Sequence, residues 1–450
     1  MIKKNEEYIT KIIDYGMDGE GITKIDDFTI FVPNAMKNEK VRILIIKVQK
    51  NYGYGKLLEI IEKSQYRVTP DCTTYNRCGG CEMRHIDYDE TLNIKQEKVQ
   101  NLINKNLKQK VKVEKTVGMG NQYNYRDKAI YPVGLNKQNE VTVGVYAKRT
   151  HEIVQIQNCL IQSEISQKIA FSIQKFIIEK QIPVYNESTN EGLFRHIVIR
   201  IGVRTHEIMC VLVINGKKIP YEQELVEMLV KTYNVKTIVK NINTKNTNVI
   251  LGTENIMLHG DGYIYDVLGD YTFKISTMSF YQVNPVQTEL LYNEAIEMAN
   301  LQKDEILFDL YCGIGTIGIF ASKYVKKVYG IEIVEDAIKD AKENAKINNV
   351  NNIEFLTGDV EKTFTSLMEK KQIYPDVVFV DPPRKGLDET TIKNIFAVEP
   401  KKIIYISCNP ATLARDLAKF EEKYEIKKIQ PVDMFPYSTH VECCALLCLK

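Results

Sequence analysis

The chain has 450 residues, 44% hydrophobic and 26% charged, the balance of an ordinary globular protein of two to four domains. No run approaches the roughly 18–20 apolar residues of a membrane span, and Met1-Ile2-Lys3-Lys4-Asn5-Glu6-Glu7 lacks the apolar core of an export signal, so a cytoplasmic protein with no membrane partner is expected. The ten cysteines are then metal ligands, nucleophiles or core residues rather than a disulfide framework; net charge is only +2, but a basic surplus in residues 63–270 would draw a polyanion to the middle of the chain.

Residues 8–61 read as short strands separated by glycine-rich turns. Phe28–Pro33 and Val41–Val48 are the clearest strands, and Gly16, Gly19, Gly21, Gly53 and Gly55 punctuate them. Closely spaced short strands predict a small β-barrel, an architecture often used to bind single-stranded nucleic acid. A loop rich in Cys, Gly and Arg follows at residues 68–85. Cys72, Cys78 and Cys81 lie close together there, and Gly79 and Gly80 let the loop curl around an ion or cluster. Cys159 is the candidate fourth ligand. Four thiolates suit zinc or an iron–sulfur cluster, and the spacing does not choose between them. Cys210, Cys312, Cys443, Cys444 and Cys448 read as core.

A helix is predicted over residues 89–107, with Leu92, Ile94, Val99, Leu102 and Ile103 as its apolar positions. Residues 111–268 are mixed, with strands at His196–Ile201 and Ile208–Val213 and a helix over Glu222–Tyr233. Tyr123, Tyr125, Arg126, Lys128 and Tyr131 interleave aromatic and basic groups that could stack on bases and grip phosphates; scattered surface residues are the plainer reading. Residues 271–450 alternate strand and helix, the pattern of a parallel α/β sheet. Its strands are Ile306–Leu310, Lys327–Ile331, Ile353–Leu356, Val377–Val380 and Lys402–Ile406. No internal repeat or low-complexity segment is present.

The segment Asp309-Leu310-Tyr311-Cys312-Gly313-Ile314-Gly315-Thr316-Ile317-Gly318 follows a strand and opens a helix, and its glycines spell G-x-G-x-x-G. Glu332 ends the next strand, where a carboxylate can hold ribose hydroxyls. These features fit NAD as well as S-adenosylmethionine. Val380-Asp381-Pro382-Pro383-Arg384 leans toward the second. Its prolines stiffen a loop that presents a carboxylate at the carboxyl end of the sheet, an element dehydrogenases do not require. A proline-rich turn is the plain alternative.

Ser407-Cys408-Asn409-Pro410 closes a buried strand, and Pro410 stands where a first helical residue would. Cys408 therefore precedes a helix N-terminus, where partial positive charge lowers a thiol's pKa and favours a nucleophilic thiolate. A buried structural cysteine is the alternative. Near the C-terminus, Glu442 enters the apolar strand Cys443–Leu449. A carboxylate among uncharged neighbours has a raised pKa, as a general base needs. His440 is the other candidate base.

Together these segments resemble the bacterial RNA (uracil-C5)-methyltransferases, in particular their ribosomal RNA branch, over essentially the whole chain. The resemblance implies a multidomain α/β protein. Residues 1–61 would be a TRAM domain, an OB-like RNA-binding β-barrel. Residues 62–270 would be a central α+β domain with an iron–sulfur cluster. Residues 271–450 would be a Rossmann-like class I methyltransferase domain, against which helix 89–107 packs. It also implies that Cys72, Cys78, Cys81 and Cys159 hold a [4Fe-4S] cluster. Gln282, in Phe280-Tyr281-Gln282-Val283-Asn284-Pro285, would contact S-adenosylmethionine, together with Tyr311, Glu332, Asp359 and Asp381. Cys408 would be the nucleophile and Glu442, in His440-Val441-Glu442, the general base. Cys443-Cys444 departs from the Thr-Val more usual in the family, a change core packing should absorb. The family's tRNA branch usually lacks the TRAM segment and the cluster, so a monomer acting on 23S rRNA is expected, with tRNA as the alternative. The implied chemistry explains the thiolate: uracil C5 is a poor nucleophile until sulfur adds at C6. Two other classes stay open: an NAD-dependent oxidoreductase, resting on the glycine pattern alone, and a non-catalytic RNA-binding iron–sulfur protein.

Overall fold

In residues 7–62, alternate side chains turn to one side of each strand, and the computed structural model, which describes residues 2–450, buries that side. Ile30, Val32, Val41, Ile43 and Ile45 form the interior with Ile12 and Ala35. Six strands, Glu7–Lys11, Asp14–Tyr15, Gly21–Ile25, Phe28–Val32, Lys40–Val48 and Tyr52–Glu62, numbered in that sequence, lie in the order 1-5-6-4-3-2, and only the fourth and sixth run parallel. The sheet curls toward a barrel: the Ile13 N–H donates to the Ile22 carbonyl at 2.8 Å, and the Ile12 N–H to Glu39 at 2.9 Å. Gly53 and Gly55 do not punctuate. Both lie inside the strand Tyr52–Glu62, where a Cβ on Gly53 would come within 2.9 Å of Ile30 and of the Lys47 carbonyl. The barrel is too narrow there for any side chain.

The central sheet runs, from edge to edge, Glu254–His259, Thr237–Ile242, Ile208–Ile214, Phe194–Ile201, Lys128–Leu135 and Val141–Val143. Both of its faces are covered. Ile197, Ile199, Cys210 and Leu212 pack on helices Glu164–Glu179 and Glu222–Tyr233. Val198, Met209, Val211 and Val239 join the core of the C-terminal domain. Tyr125 and Tyr131 are buried, so they offer no ring to an external base. Of the interleaved aromatics only Tyr123 is exposed, and its hydroxyl donates to Asp71 at 2.8 Å. Interleaving on paper did not reveal that Tyr131 points inward from a central strand.

The C-terminal sheet has seven strands: Ile306–Leu310, Lys327–Glu332, Ile353–Thr357, Val377–Val380, Lys402–Ser407, Tyr424–Val432 and Glu442–Leu449. Numbered in that sequence, their order is 3-2-1-4-5-7-6. The first five are parallel, and the last pairs antiparallel to both of its neighbours. The switch point of such a sheet, between its first and fourth strands, opens a crevice at the carboxyl ends.

The helix Tyr88–Asn106 packs on this domain, with Val99 and Ile103 against Leu417, Phe420 and Ile429. Residues 113–117 continue the sheet, bridging in parallel from Val113 to Ile429 and from Val117 to Val432. Lys95 of this helix is buried and ion-paired to buried Asp433, which also accepts from the Tyr88 hydroxyl at 2.9 Å. Removing one partner leaves an uncompensated buried charge, so Lys95→Met should cost about 3–5 kcal/mol, read as a lower urea midpoint. An unchanged midpoint would show that Asp433 is solvated after all. Among the described residues, no helix is long and apolar enough to cross a membrane.

Candidate active site

The glycine turn is built as its spacing requires. Gly315 has φ +81°, and a Cβ there would meet Phe355 at 2.5 Å. The Gly318 N–H donates to Asp309 at 2.9 Å, and a Cβ on Gly318 would strike the same oxygen. Above Gly313 nothing lies within 4 Å of a hypothetical Cβ, so the crevice is open at that point. Glu332 accepts from the Gly313 N–H at 3.2 Å and the Val334 N–H at 2.9 Å, which fixes its carboxylate at the lip of the crevice. Beside it Ile333 is 63% exposed, an apolar side chain at the lip of the crevice. Tyr311 holds a left-handed φ of 65°, a strained setting for a non-glycine residue. Asp359 is exposed and caps the helix Val360–Lys371, accepting from the Lys362 N–H at 3.2 Å.

Asp309 is a site residue that the sequence reading quoted without giving it a role. It is buried, its second carboxylate oxygen has no partner, and burial pushes its pKa up to about 8. The signal was available: an acid inside an apolar strand, nine residues before a glycine whose N–H needs an acceptor.

Asp381, Cys408 and Glu442 leave three adjacent strands at the carboxyl edge. Val380 pairs with Tyr405, and Ser407 with Cys443, so residues 408 and 442 stand one step beyond paired positions. Cys408 is half-buried and Glu442 is buried at the base of the same recess. Burial, then the charge of Asp381, pushes Glu442 up to about 8, while Arg384 pulls the other way. Burial also pushes Asp381 up to about 7. The thiol differs from the expectation drawn from its helix. Burial, with Glu442 and Asp381 adding to it, pushes Cys408 up to about 11, and Arg384 is the opposing charge. The helix Pro410–Phe420 does begin just past Cys408, with Asn409 as its cap, but burial and then the two carboxylates push the thiol the other way. Arg384 is thus the second residue whose part was missed, although it directly follows Asp381-Pro382-Pro383. His440 is exposed, with its ring 6.0 Å from that of Phe435.

Gln282 precedes the helix Pro285–Ala299 and is half-buried. Its neighbours fix that corner. Asn284 caps the helix and donates to the Met434 carbonyl at 3.0 Å, and Gln287 donates to the Asp433 carbonyl at 3.0 Å. The loop after the strand Tyr424–Val432 is thereby tied to the crevice.

Cys72, Cys78, Cys81 and Cys159 line one cavity. Burial pushes Cys81 up to about 12 and raises Cys78 and Cys159 too, a desolvation cost that coordination by a cation would relieve. Among the described residues no three His, Cys, Asp or Glu side chains are drawn close enough to hold a single metal ion. The cysteine loop also touches the catalytic edge. The Glu82 and Met83 N–H groups donate to the Tyr437 carbonyl at 3.0 and 2.9 Å, and the Arg84 guanidinium lies 4.3 Å from the Tyr437 ring.

A groove of about 790 Å³ joins these parts. Asn34, Gly79, Lys148, Arg149, Thr439 and His440 line it, so it runs from the barrel past the cysteine loop to within two residues of Glu442. At its barrel end Phe31, Tyr52 and Tyr54 form a triangle of rings 5.7–5.8 Å apart, with Arg149 5.9 Å from Tyr54. Aromatic rings interleaved with basic groups suit single-stranded nucleic acid.

A family model described as tRNA (Uracil-5-)-methyltransferase matches residues 87–450, and a TRAM domain model matches residues 5–58. The chain is 46% identical over 452 residues to a protein of Staphylococcus aureus strain MSSA476 described as an uncharacterized RNA methyltransferase, covering 100% of this chain and 99% of that one. It is 46% identical over 448 residues to one so described in Clostridium tetani, covering 99% and 97%. Among solved structures it is similar to the Pyrococcus abyssi tRNA (uracil-54, C5)-methyltransferase in complex with S-adenosyl-L-homocysteine. The TM-score is 0.78 at 27% identity, over 98% of this chain and 100% of that one. The G-x-G-x-x-G turn is therefore that of an S-adenosylmethionine-dependent methyltransferase fold and not of an NAD-dependent oxidoreductase. With a TRAM barrel ahead of that fold and full-length likeness to RNA methyltransferases, the chain belongs to the RNA uracil-5-methyltransferase family.

Proposed function

We propose that the chain methylates C5 of a specific uridine in 23S rRNA, with Cys408 as nucleophile and Glu442 as general base. The observation that carries this reading is the meeting of a half-buried thiol and a buried carboxylate at adjacent strand ends, beside the glycine-turn crevice. The Cys408 thiolate adds to C6 of the uracil, and the C5–C6 π pair shifts toward an enolate at O4. S-adenosylmethionine supplies an electrophilic methyl group to the nucleophilic C5. Glu442 then takes the C5 proton, the C5–C6 double bond re-forms, and the Cys408 thiolate is expelled. Arg384 is the cation whose field favours both the thiolate and the enolate. A uridine in structured RNA has to leave its stack to reach this recess.

Gln282, Tyr311, Glu332, Asp359 and Asp381 surround the crevice and are assigned to S-adenosylmethionine, with Glu332 toward the ribose. The open space above Gly313 and the carboxylate of Glu332 at its lip fit a nucleoside ligand held by backbone and carboxylates. Gly315→Ala places a Cβ against Phe355 in a left-handed backbone, at a strain of roughly 1–3 kcal/mol. The affinity for S-adenosylhomocysteine, measured by calorimetry, should fall about tenfold or more; an unchanged affinity would place the ligand elsewhere.

Cys72, Cys78, Cys81 and Cys159 are assigned to a [4Fe-4S] cluster. What supports this is that the four thiols line one cavity, a donor set that suits such a cluster. Anaerobically purified protein should be brown with about four irons per chain, and Cys81→Ser should lose both the colour and the iron. Stoichiometric zinc instead would overturn this assignment.

The barrel and the four cysteines favour 23S rRNA; the full-length likeness to an enzyme titled for tRNA uracil-54 favours the same chemistry on tRNA. Mass mapping of 5-methyluridine in both RNAs, from cells with and without the gene, separates them. Loss from neither RNA would refute both.

A further inference from the structure

Beyond the groove the central domain holds a second cavity of about 380 Å³, within the roughly 300–1,000 Å³ typical of ligand pockets. Tyr146 and His151 line both spaces, so the cavity opens from the groove that leads to Glu442. No part of the reaction above uses it. Its walls nonetheless carry a dense set of polar and aromatic groups. Tyr146 and His151 stack at 5.2 Å, and the Arg195 guanidinium lies 4.2 Å from the Tyr185 ring. Glu187 accepts from His151 Nδ1 at 2.5 Å and from the Tyr146 hydroxyl at 3.3 Å. That hydroxyl in turn accepts from His196 Nε2 at 3.3 Å, which leaves Nδ1 of His196 as an acceptor. His196 and Arg195 are both more than nine-tenths buried, and His196 Nδ1 and Arg195 Nε have no partner among the described residues. Buried polar atoms without partners cost free energy unless something fills the site.

The wall offers π surfaces, two acceptor oxygens from Glu187, and the amide groups of Asn139 and Asn186 as donors. That set complements a flat heterocycle with adjacent N–H donors on one edge and acceptors on another. Guanine has this pattern: N1–H and N2–H₂ on one edge, O6 and N7 on another. Uracil does not. We propose that this cavity is a second base-binding subsite, taking a guanine of the substrate RNA at a fixed distance along the strand from the target uridine, with Glu187 as the residue that reads it. The inference rests on the RNA-methyltransferase reading for the nature of the ligand, but not on the roles of Cys408 and Glu442. A flanking base lodged here would set which uridine reaches the recess.

The test uses the full chain with single-stranded RNAs carrying one fixed uridine within randomised flanks, sequencing the bound fraction. Wild-type protein should enrich guanine about tenfold at one flanking position. Glu187→Gln, at a half-exposed side chain that should not disturb folding, should lower that enrichment to about twofold or less and let adenine gain, because a carboxamide pairs with adenine. Total binding of the pool should change less than about threefold, since phosphate contacts dominate it. Cys408→Ala should keep the guanine preference, so failure of the nucleophile assignment and failure of the subsite read separately. A wild-type pool without positional preference, or a Glu187→Gln pool with guanine enrichment intact, overturns the proposal.

Discussion

Cys408→Ala should lower methyl transfer by about 10⁴-fold or more while leaving RNA affinity within about threefold, because on the proposed mechanism it removes the bond-forming atom and little else. The side chain is half-buried at a strand end and makes no core contact that alanine would forfeit. The thiol does not sit as a free thiolate. Burial and two neighbouring carboxylates hold its pKa up at about 11, so only a small fraction is ionised at neutral pH in the free protein. Nucleophilicity therefore has to be raised on substrate arrival, with Arg384 as the charge that favours it. Transfer of labelled methyl from S-adenosylmethionine to RNA gives the rate, and filter binding gives the affinity. Turnover of the alanine variant at even a hundredth of the wild-type rate would remove sulfur from the mechanism.

Glu442→Gln should divide the reaction in two. Addition and methylation need no base at C5, but release does. A covalent RNA–protein species should accumulate, visible as a band that survives denaturing electrophoresis, while turnover falls by about 10²–10⁴-fold. Absence of the band together with full loss of turnover would place Glu442 before the methylation step. The pH profile carries the same signature. A base must be ionised to act, and burial holds Glu442 at about 8, so the rate limited by proton removal should rise with pH through that value. Stability moves in the opposite sense. A carboxyl whose folded pKa is raised from 4.5 to about 8 stabilises the fold while protonated, and that contribution is lost as pH rises through the folded value. The glutamine variant has no such charge to bury. Its melting temperature should match the wild type near about pH 5 and exceed it near about pH 9.

Much of the catalytic domain could be read from the chain because parallel strands buried on both faces are short apolar runs between helices. Ile306–Leu310 and Val377–Val380 have the bounds their composition suggests, and the helix Glu222–Tyr233 has the bounds its periodicity suggests. The misreadings share a cause: each needed knowledge of a distant neighbour. Gly53 and Gly55 looked like turns because the barrel wall that crowds them is contributed by Ile30 and Ile43. The thiol's environment was read from its own helix, whereas the deciding charges belong to residues 381 and 442. Nothing in the helix around Lys95 marks it as buried, since its partner Asp433 is far along the chain. The groove escaped notice altogether, being assembled from short stretches of five separate segments.

The clamp on the Tyr437 carbonyl bears on how the enzyme comes into being. Glu82 and Met83 are made well before residue 437, and the strand Glu442–Leu449 fills a slot between two strands that precede it in the chain. A nascent chain can thus finish its barrel and central sheet while the reactive recess still lacks a wall. Cys408 and Glu442 are brought together only when that strand enters its slot, so its pairing with both neighbours is the step that completes the recess.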